Sequence, residues 1–257
     1  MSPGVVMAAL RLGVLEARRQ PSQFLIVVTA PMFSAMFMSV VLHAGSSIGR
    51  VNAVLGPGLI GLWFVALDAA ADGIDRERWQ GTLESLLAAP APLTGLVIGR
   101  VVAMAIVGLV TLVESWLVAA VGFGVVLRPA HPVLLALSIA VTVFTTVSTA
   151  TLLAGAFVLT RHAFMLQNSL SYPLYLLGGV LVPVTVLPGW LQPFGRIVFL
   201  SWSSDLVRDA FVAGAVAHAA LRLAVVVLFG VAALVAARTV VKVVVGNVVR
   251  TGSAVRS

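Results

Sequence analysis

Residues 75–92, DRERWQGTLESLLAAPAP, form the one long polar segment of an otherwise apolar chain. Asp75, Arg76, Glu77, Arg78 and Glu84 fall within ten positions there, with hydrophobic runs on both sides. Trp79, Leu83, Leu86 and Leu87 follow the i, i+4, i+7, i+8 spacing of one helix face. Pro90 and Pro92 end such a helix, because proline lacks an amide donor and clashes with the preceding turn. The spacing predicts a short helix lying on a membrane surface, apolar side down and charged side up. Mixed charges held beside a membrane are suited to gripping a soluble partner. Glu114 is the other unusual group, a carboxylate midway along an apolar run, where ionisation costs several kcal/mol. Two readings are open for it. It lines a substrate or proton path, or it is a neutral acid bonded to a hydroxyl on a neighbouring helix. Asn168, with Ser169, Ser171 and Tyr172, permits a similar choice between path and packing. Asp68 and Asp72 lie closer to the end of their apolar run. The hydroxyls of Ser138, Thr142, Thr145, Thr146, Ser148, Thr149 and Thr151 fit close helix packing better than a polar path.

Several chemistries are excluded by what the sequence lacks. There is no GxxxxGK[ST] loop, so nucleotide hydrolysis of the P-loop kind requires a second polypeptide. His43, His131, His162 and His218 stand singly, with no HExxH and no clustered carboxylates, so no metal or other cofactor site is read on this chain. No GxSxG elbow is present. Cysteine is absent, which removes disulfides and thiol chemistry.

The elements around these residues follow from composition. The chain has 257 residues, 60% hydrophobic and 10% charged, where a soluble domain carries about 25% charged residues. It reads as an all-α integral membrane protein forming a single transmembrane domain. The formal charge of +7 is scattered singly at helix ends, so no nucleic-acid patch can be drawn, and it speaks to topology. Residues 1–23 predict an amphipathic interfacial helix. Six transmembrane helices are predicted, over residues 24–42, 54–71, 101–126, 133–159, 164–183 and 224–245, each near the ~20 residues a span needs. With both termini cytoplasmic, eleven Lys and Arg residues fall inside and five outside, Arg50, Arg128, Arg196, Arg208 and Arg222. That bias puts the charged segment, residues 72–95 with its flanks, in the cytoplasm. Residues 184–220 are too broken by proline and glycine for a span and too apolar for an ordinary loop. They predict re-entrant helices on the outer side, packed on protein. Ser203 or Ser204 is expected to cap a short helix there, with Arg208 pairing to Asp205 or Asp209. No inverted repeat of the secondary-transporter kind is visible.

Residues 76–100, RERWQGTLESLLAAPAPLTGLVIGR, resemble the cytoplasmic segment of ABC-2-type exporter permeases. Glu77, Gly81, Thr82, Leu83, Glu84, Leu86, Leu87, Pro90 and Gly99 match that pattern in order. A second likeness lies in GGVLVPVTVLPGWLQPFGRIVFLSW, residues 178–202. The resemblance implies a six-helix permease in the cell membrane that dimerises, with itself or a related permease, and binds two ATP-binding-cassette ATPase subunits. Those partners would hold the ATP and magnesium. The charged segment would be the coupling helix, with Arg76, Glu77, Arg78, Gly81, Thr82 and Glu84 making the ATPase contact. Drugs, lipids, glycolipids and polysaccharides are the substrates the resemblance implies, with drugs and lipids favoured here. Rival readings are a secondary transporter or channel coupled through Glu114, a membrane-embedded lipid enzyme, and a structural subunit that moves nothing.

Overall fold

A computed structural model describes residues 21–43, 47–81, 93–158, 160 and 163–251, and among these the chain is helical with no strand. The elements are α1 (Pro21–His43), α2 (Ser47–Trp79), α3 (Leu93–Leu117), α4 (Pro132–Val158), α5 (Ala163–Leu177), α6 (Gln192–Ile197), α7 (Phe199–Asp209) and α8 (Ala219–Thr251). A π-helical turn, Val118–Gly122, follows α3, and a 3₁₀ turn, Val184–Val186, precedes α6. Among the described residues, four helices are long and apolar enough to cross a membrane: Gly49–Trp79, Gly95–Gly122, Pro132–Val158 and Ala219–Val243. The apolar stretch Val28–His43 of α1 is shorter. The expected interfacial helix lies almost wholly outside the described residues.

α2 is the hub. Within its most apolar window 83% is buried inside the protein, against 44%, 39% and 11% in the windows of α3, α4 and α8. It packs on α1, α3, α4, α5 and α7, and Leu62, Trp63, Ala66, Leu67 and Ile74 place its side chains in the main core. In lipid, apolar contact alone does not favour one helix over the bilayer, so close approach of backbones must supply the attraction. Two reciprocal glycine seams provide it. Between α2 and α3, a Cβ on Gly61 would lie 2.5 Å from Thr111 Oγ1, and one on Gly108 would lie 2.8 Å from Leu62 Cα. Between α4 and α8, a Cβ on Gly155 would lie 2.9 Å from Val240 Cγ1, and one on Gly230 would lie 2.5 Å from Phe144 Cε1. Hydroxyls finish both seams. Thr111 Oγ1 donates to Gly58 O at 3.1 Å, and Thr145 Oγ1 donates to Val226 O at 2.9 Å. Ser34 Oγ donates to Ser115 Oγ at 2.8 Å and ties α1 to α3. The packing expectation for the hydroxyl-rich α4 fits this geometry, since Ser138, Thr142, Thr145, Thr146, Ser148 and Thr151 are buried.

Several expected boundaries are corrected. Residues 75–79 do not begin a separate surface helix. They are the last turn and a half of α2, which runs unbroken to Trp79, because no residue after Pro57 breaks it before the Gln80–Gly81 turn. Helical structure after α3 stops near Phe123 and not at residue 126, since Gly124 takes φ +66° and Val125 N–H closes on Ala119 O. α5 stops at Leu177 and does not reach residue 183. Gly178 is pressed against Leu200, and Gly179 turns with φ +62°. α5 is therefore about 22 Å long at 1.5 Å per residue. Neither Ser203 nor Ser204 caps a helix start, because α7 begins at Phe199 and both lie inside it. Ser204 Oγ instead donates to Gly178 O at 2.9 Å, satisfying a carbonyl at the far end of α5.

Gly61→Val should force α2 and α3 apart and cost about 1–3 kcal/mol, read as a lowered thermal midpoint in detergent. Gly122→Ala, where a Cβ meets nothing within 4 Å, should leave the midpoint unchanged. Thr145→Val removes one interhelical hydrogen bond and should cost no more than ~0.6–1.7 kcal/mol, measured the same way.

Candidate functional site

At 33 residues, α2 is about 50 Å long, well beyond the ~30 Å of a hydrocarbon core. The excess at its C-terminal end is polar: Asp68, Asp72, Asp75, Arg76, Glu77 and Arg78 in eleven positions. An α-helix spreads these residues around its circumference, so each reaches a different neighbour. Arg76 Nη2 bonds Asp72 Oδ2 at 2.8 Å along the same helix face. Both side chains are partly exposed, so this pair stabilises by only a few tenths of a kcal/mol. Glu77 faces Arg100 of α3 at 3.9 Å. Gly73 makes this approach feasible, since a Cβ there would collide with the Arg100 guanidinium. Arg78 reaches the end of α4, where Nη2 donates to Val158 O at 2.9 Å and Nη1 donates to Thr160 O.

The tip of this foot is open. Trp79 is 89% exposed, and Gln80 and Gly81 are exposed. Gln80 N–H closes on Arg76 O at 3.0 Å and Gly81 N–H on Arg78 O at 3.1 Å. Gly81 takes φ +67° with nothing near its missing Cβ, so it serves the left-handed turn and not close packing. The foot thus combines a firmly mounted base with an exposed aromatic and turn. Among the residues expected to contact a partner, Arg76, Glu77, Arg78 and Gly81 share this foot. Thr82 and Glu84 lie outside the described residues.

The two residues expected on a translocation path are not brought together. Glu114 is half-buried in α3, and its Oε2 has no hydrogen-bond partner among the described residues. Asn168 Nδ2 donates to Phe164 O of its own helix at 3.1 Å. α5 packs mainly on α2 rather than on α3.

The residue overlooked is Gln167. It is fully buried and its Nε2 donates to Asp68 Oδ1 at 3.4 Å. Gln167, Ser171 and Tyr175 recur at i, i+4 and i+8 and all are buried, whereas Tyr172 is 73% exposed. That polar stripe of period four was the available signal, and it puts Gln167 and not Asn168 on the packed face.

A second ionic cluster joins α6, α7, α8 and the start of α2. Arg196 Nη1 bonds Asp205 Oδ2 at 2.6 Å, and Arg208 Nη2 bonds Asp205 Oδ1 at 2.5 Å. Arg208 also donates to Asn52 Oδ1 at 3.2 Å and to Ser204 Oγ at 3.1 Å. Burial pulls the Arg208 pKa below the usual arginine value, and the Asp205 charge opposes that shift. Of the two expected partners Arg208 takes Asp205, while Asp209 pairs with Arg222 of α8 at 2.6 Å. The Arg196 guanidinium lies 5.4 Å from the Trp202 ring centroid. Every charge here has a partner of opposite sign, so the cluster reads as a clamp between elements. Among the described residues no group of three His, Asp or Glu could hold a metal.

No curated protein matches the chain. A family model described as ABC-2 type transporter matches residues 5–212, which takes in α1 through α7 and the charged foot. The chain therefore belongs to the ABC-2 type transporter family, as a membrane permease whose family implies a partner ATP-binding-cassette ATPase.

Proposed function

We propose that this permease exports a drug-like, lipid or glycolipid substrate from the cytoplasm or inner leaflet, driven by ATP hydrolysis in a separate subunit. The observation that carries the reading is the foot of α2. It is a rigid extension of the most buried helix, mounted on α3 and α4, with Trp79, Gln80 and Gly81 left open. If the work comes from ATP, a chain without a P-loop receives it from a second polypeptide, and a lever continuous with the core is a suitable receiver. In this reading the segment 72–95 is cytoplasmic, and Arg76, Glu77, Gly81, Thr82 and Glu84 meet the ATPase, while Arg78, expected in the same contact, is assigned instead to the end of α4, where its guanidinium donates to Val158 O and Thr160 O. Two permease copies, or this chain and a related one, enclose the path and bind two ATPase copies that hold the ATP and magnesium. α1, and α5 together with residues 178–183 that follow it, complete a six-span body in the plasma membrane with both termini inside. The segment 184–220, with α6 and α7, forms re-entrant structure on the outer side. The excess of Lys and Arg on the proposed inner side supports this orientation.

One observation favours a second reading. The unpartnered Glu114 Oε2 within α3 suits a proton-coupled secondary transporter, which would work with no ATPase.

Glu77→Lys combined with Glu84→Lys should leave membrane insertion intact and abolish co-purification of the ATPase. Retained co-purification and normal export would overturn the coupling assignment. Glu114→Gln should leave ATP-driven export near the unmutated level. Loss of export with a stable, ATPase-bound complex would instead favour the second reading.

A further inference from the structure

Arg78 sits one residue before the end of α2, yet its guanidinium is turned away from the exposed tip. It donates to Val158 O and Thr160 O, 80 and 82 positions along the chain. The final carbonyls of a helix have no donor within the helix, and a cation there meets the negative end of the helix dipole. Arg78 therefore caps α4 at Val158 O and binds Thr160 O just beyond it, both by charge-assisted hydrogen bonds, the stronger class of such bonds. The planar guanidinium donates along two directions at once, which a lysine ammonium does not reproduce. Thr160 lies between the end of α4 and the start of α5, so the same contact holds the junction of those two helices. Three residues beyond Arg78 the chain turns at Gly81 into residues 82–92. A push on that segment enters the bundle through α2 and through α3, which begins at Leu93, and from α2 it can reach α4 by way of Arg78.

We propose that Arg78 is a positioning residue that passes movement of the docked ATPase from the foot of α2 to the α4–α5 junction. It acts from within the permease and does not itself grip the ATPase. Both of its Nη groups are already engaged, and turning them outward to a partner would uncap α4. This inference rests on the proposed coupling function and adds the route by which coupling enters the bundle.

The chain has no cysteine, so a single Phe164→Cys change gives one labelling position on the exposed side of the first turn of α5. The tagged complex is purified from host membranes, labelled there with an environment-sensitive fluorophore, reconstituted in phosphatidylcholine–phosphatidylglycerol vesicles and treated with ATP and vanadate. With Arg78 present, trapping the ATPase should shift the emission. Arg78→Met keeps the apolar stem and removes the donors. It should retain the ATPase and its hydrolysis while abolishing the shift, and Arg78→Lys should restore part of it. A full shift in Arg78→Met with the ATPase bound overturns the proposal. Hydrogen exchange on the complex with Arg78 unchanged gives an independent reading. Trapping should alter protection at residues 76–81 and 155–164 together, and a change confined to 76–81 also overturns the proposal. Failure of the ATPase to co-purify with the unmutated chain instead removes the coupling function itself.

Discussion

The burial of α2 is the constraint on which the rest of the structure depends. A helix surrounded by five others cannot be displaced at one end without disturbing the packing along its length, because close-packed interiors transmit strain and do not absorb it. The two glycine positions that face α3, Gly58 and Gly61, hold its axis close to the neighbouring backbone. Trp63, tilted against Phe199 with ring centroids 5.7 Å apart, joins the same helix to α7. The charged foot then inherits its stiffness from the core below it. A surface helix hinged at a loop would not have that property.

The ends of the helices show how the bundle is held in register. Carbonyls at a helix C-terminus require donors, and those packed against protein cannot all take them from water. Here neighbouring helices provide the donors. Ser204 of α7 serves Gly178 at the end of α5, and Arg78 of α2 serves Val158 and Thr160 at the end of α4. The first contact is neutral and the second is charged. His131 uses the same logic outside a helix, with its backbone N–H on Ala210 O and its ring within 2.7 Å of Gly214 O. Each of these bonds fixes the spacing between two elements distant in sequence. The clamp of Arg196, Asp205, Arg208, Asp209 and Arg222 does so for α6, α7 and α8.

Much of the fold was legible in the amino-acid sequence. Hydrophobic length identified the helical cores of α2, α3, α4 and α8, because the requirement to satisfy every backbone group in lipid leaves a long apolar run little choice but helix. Helix ends were less legible. The foot of α2 reads from the sequence as a separate helix because the composition changes abruptly at Asp72, yet nothing in residues 72–79 opposes helix continuation. α5 ends early because Gly178 must fit against Leu200, a contact between residues far apart that local pattern does not encode. The glycine seams were equally hidden, since Gly61 and Gly108 are unremarkable until their helices are placed side by side. For the site, the residue types were legible and their roles were not. In the sequence Arg78 groups with the charges expected to meet the ATPase, and only the position of α4 shows it donating to Val158 O and Thr160 O. Asn168 and Gln167 are adjacent and chemically alike, and one step along a helix rotates a side chain by ~100° and decides which of them is buried.

The central claim is that the foot of α2 is a cytoplasmic lever. In a chain without cysteine, a single Gln80→Cys substitution gives one thiol at the exposed tip. A membrane-impermeant maleimide added to intact cells should leave it unlabelled and should label it in inside-out vesicles, with Trp190→Cys giving the opposite pattern. Labelling of Gln80→Cys from outside intact cells would contradict the claim.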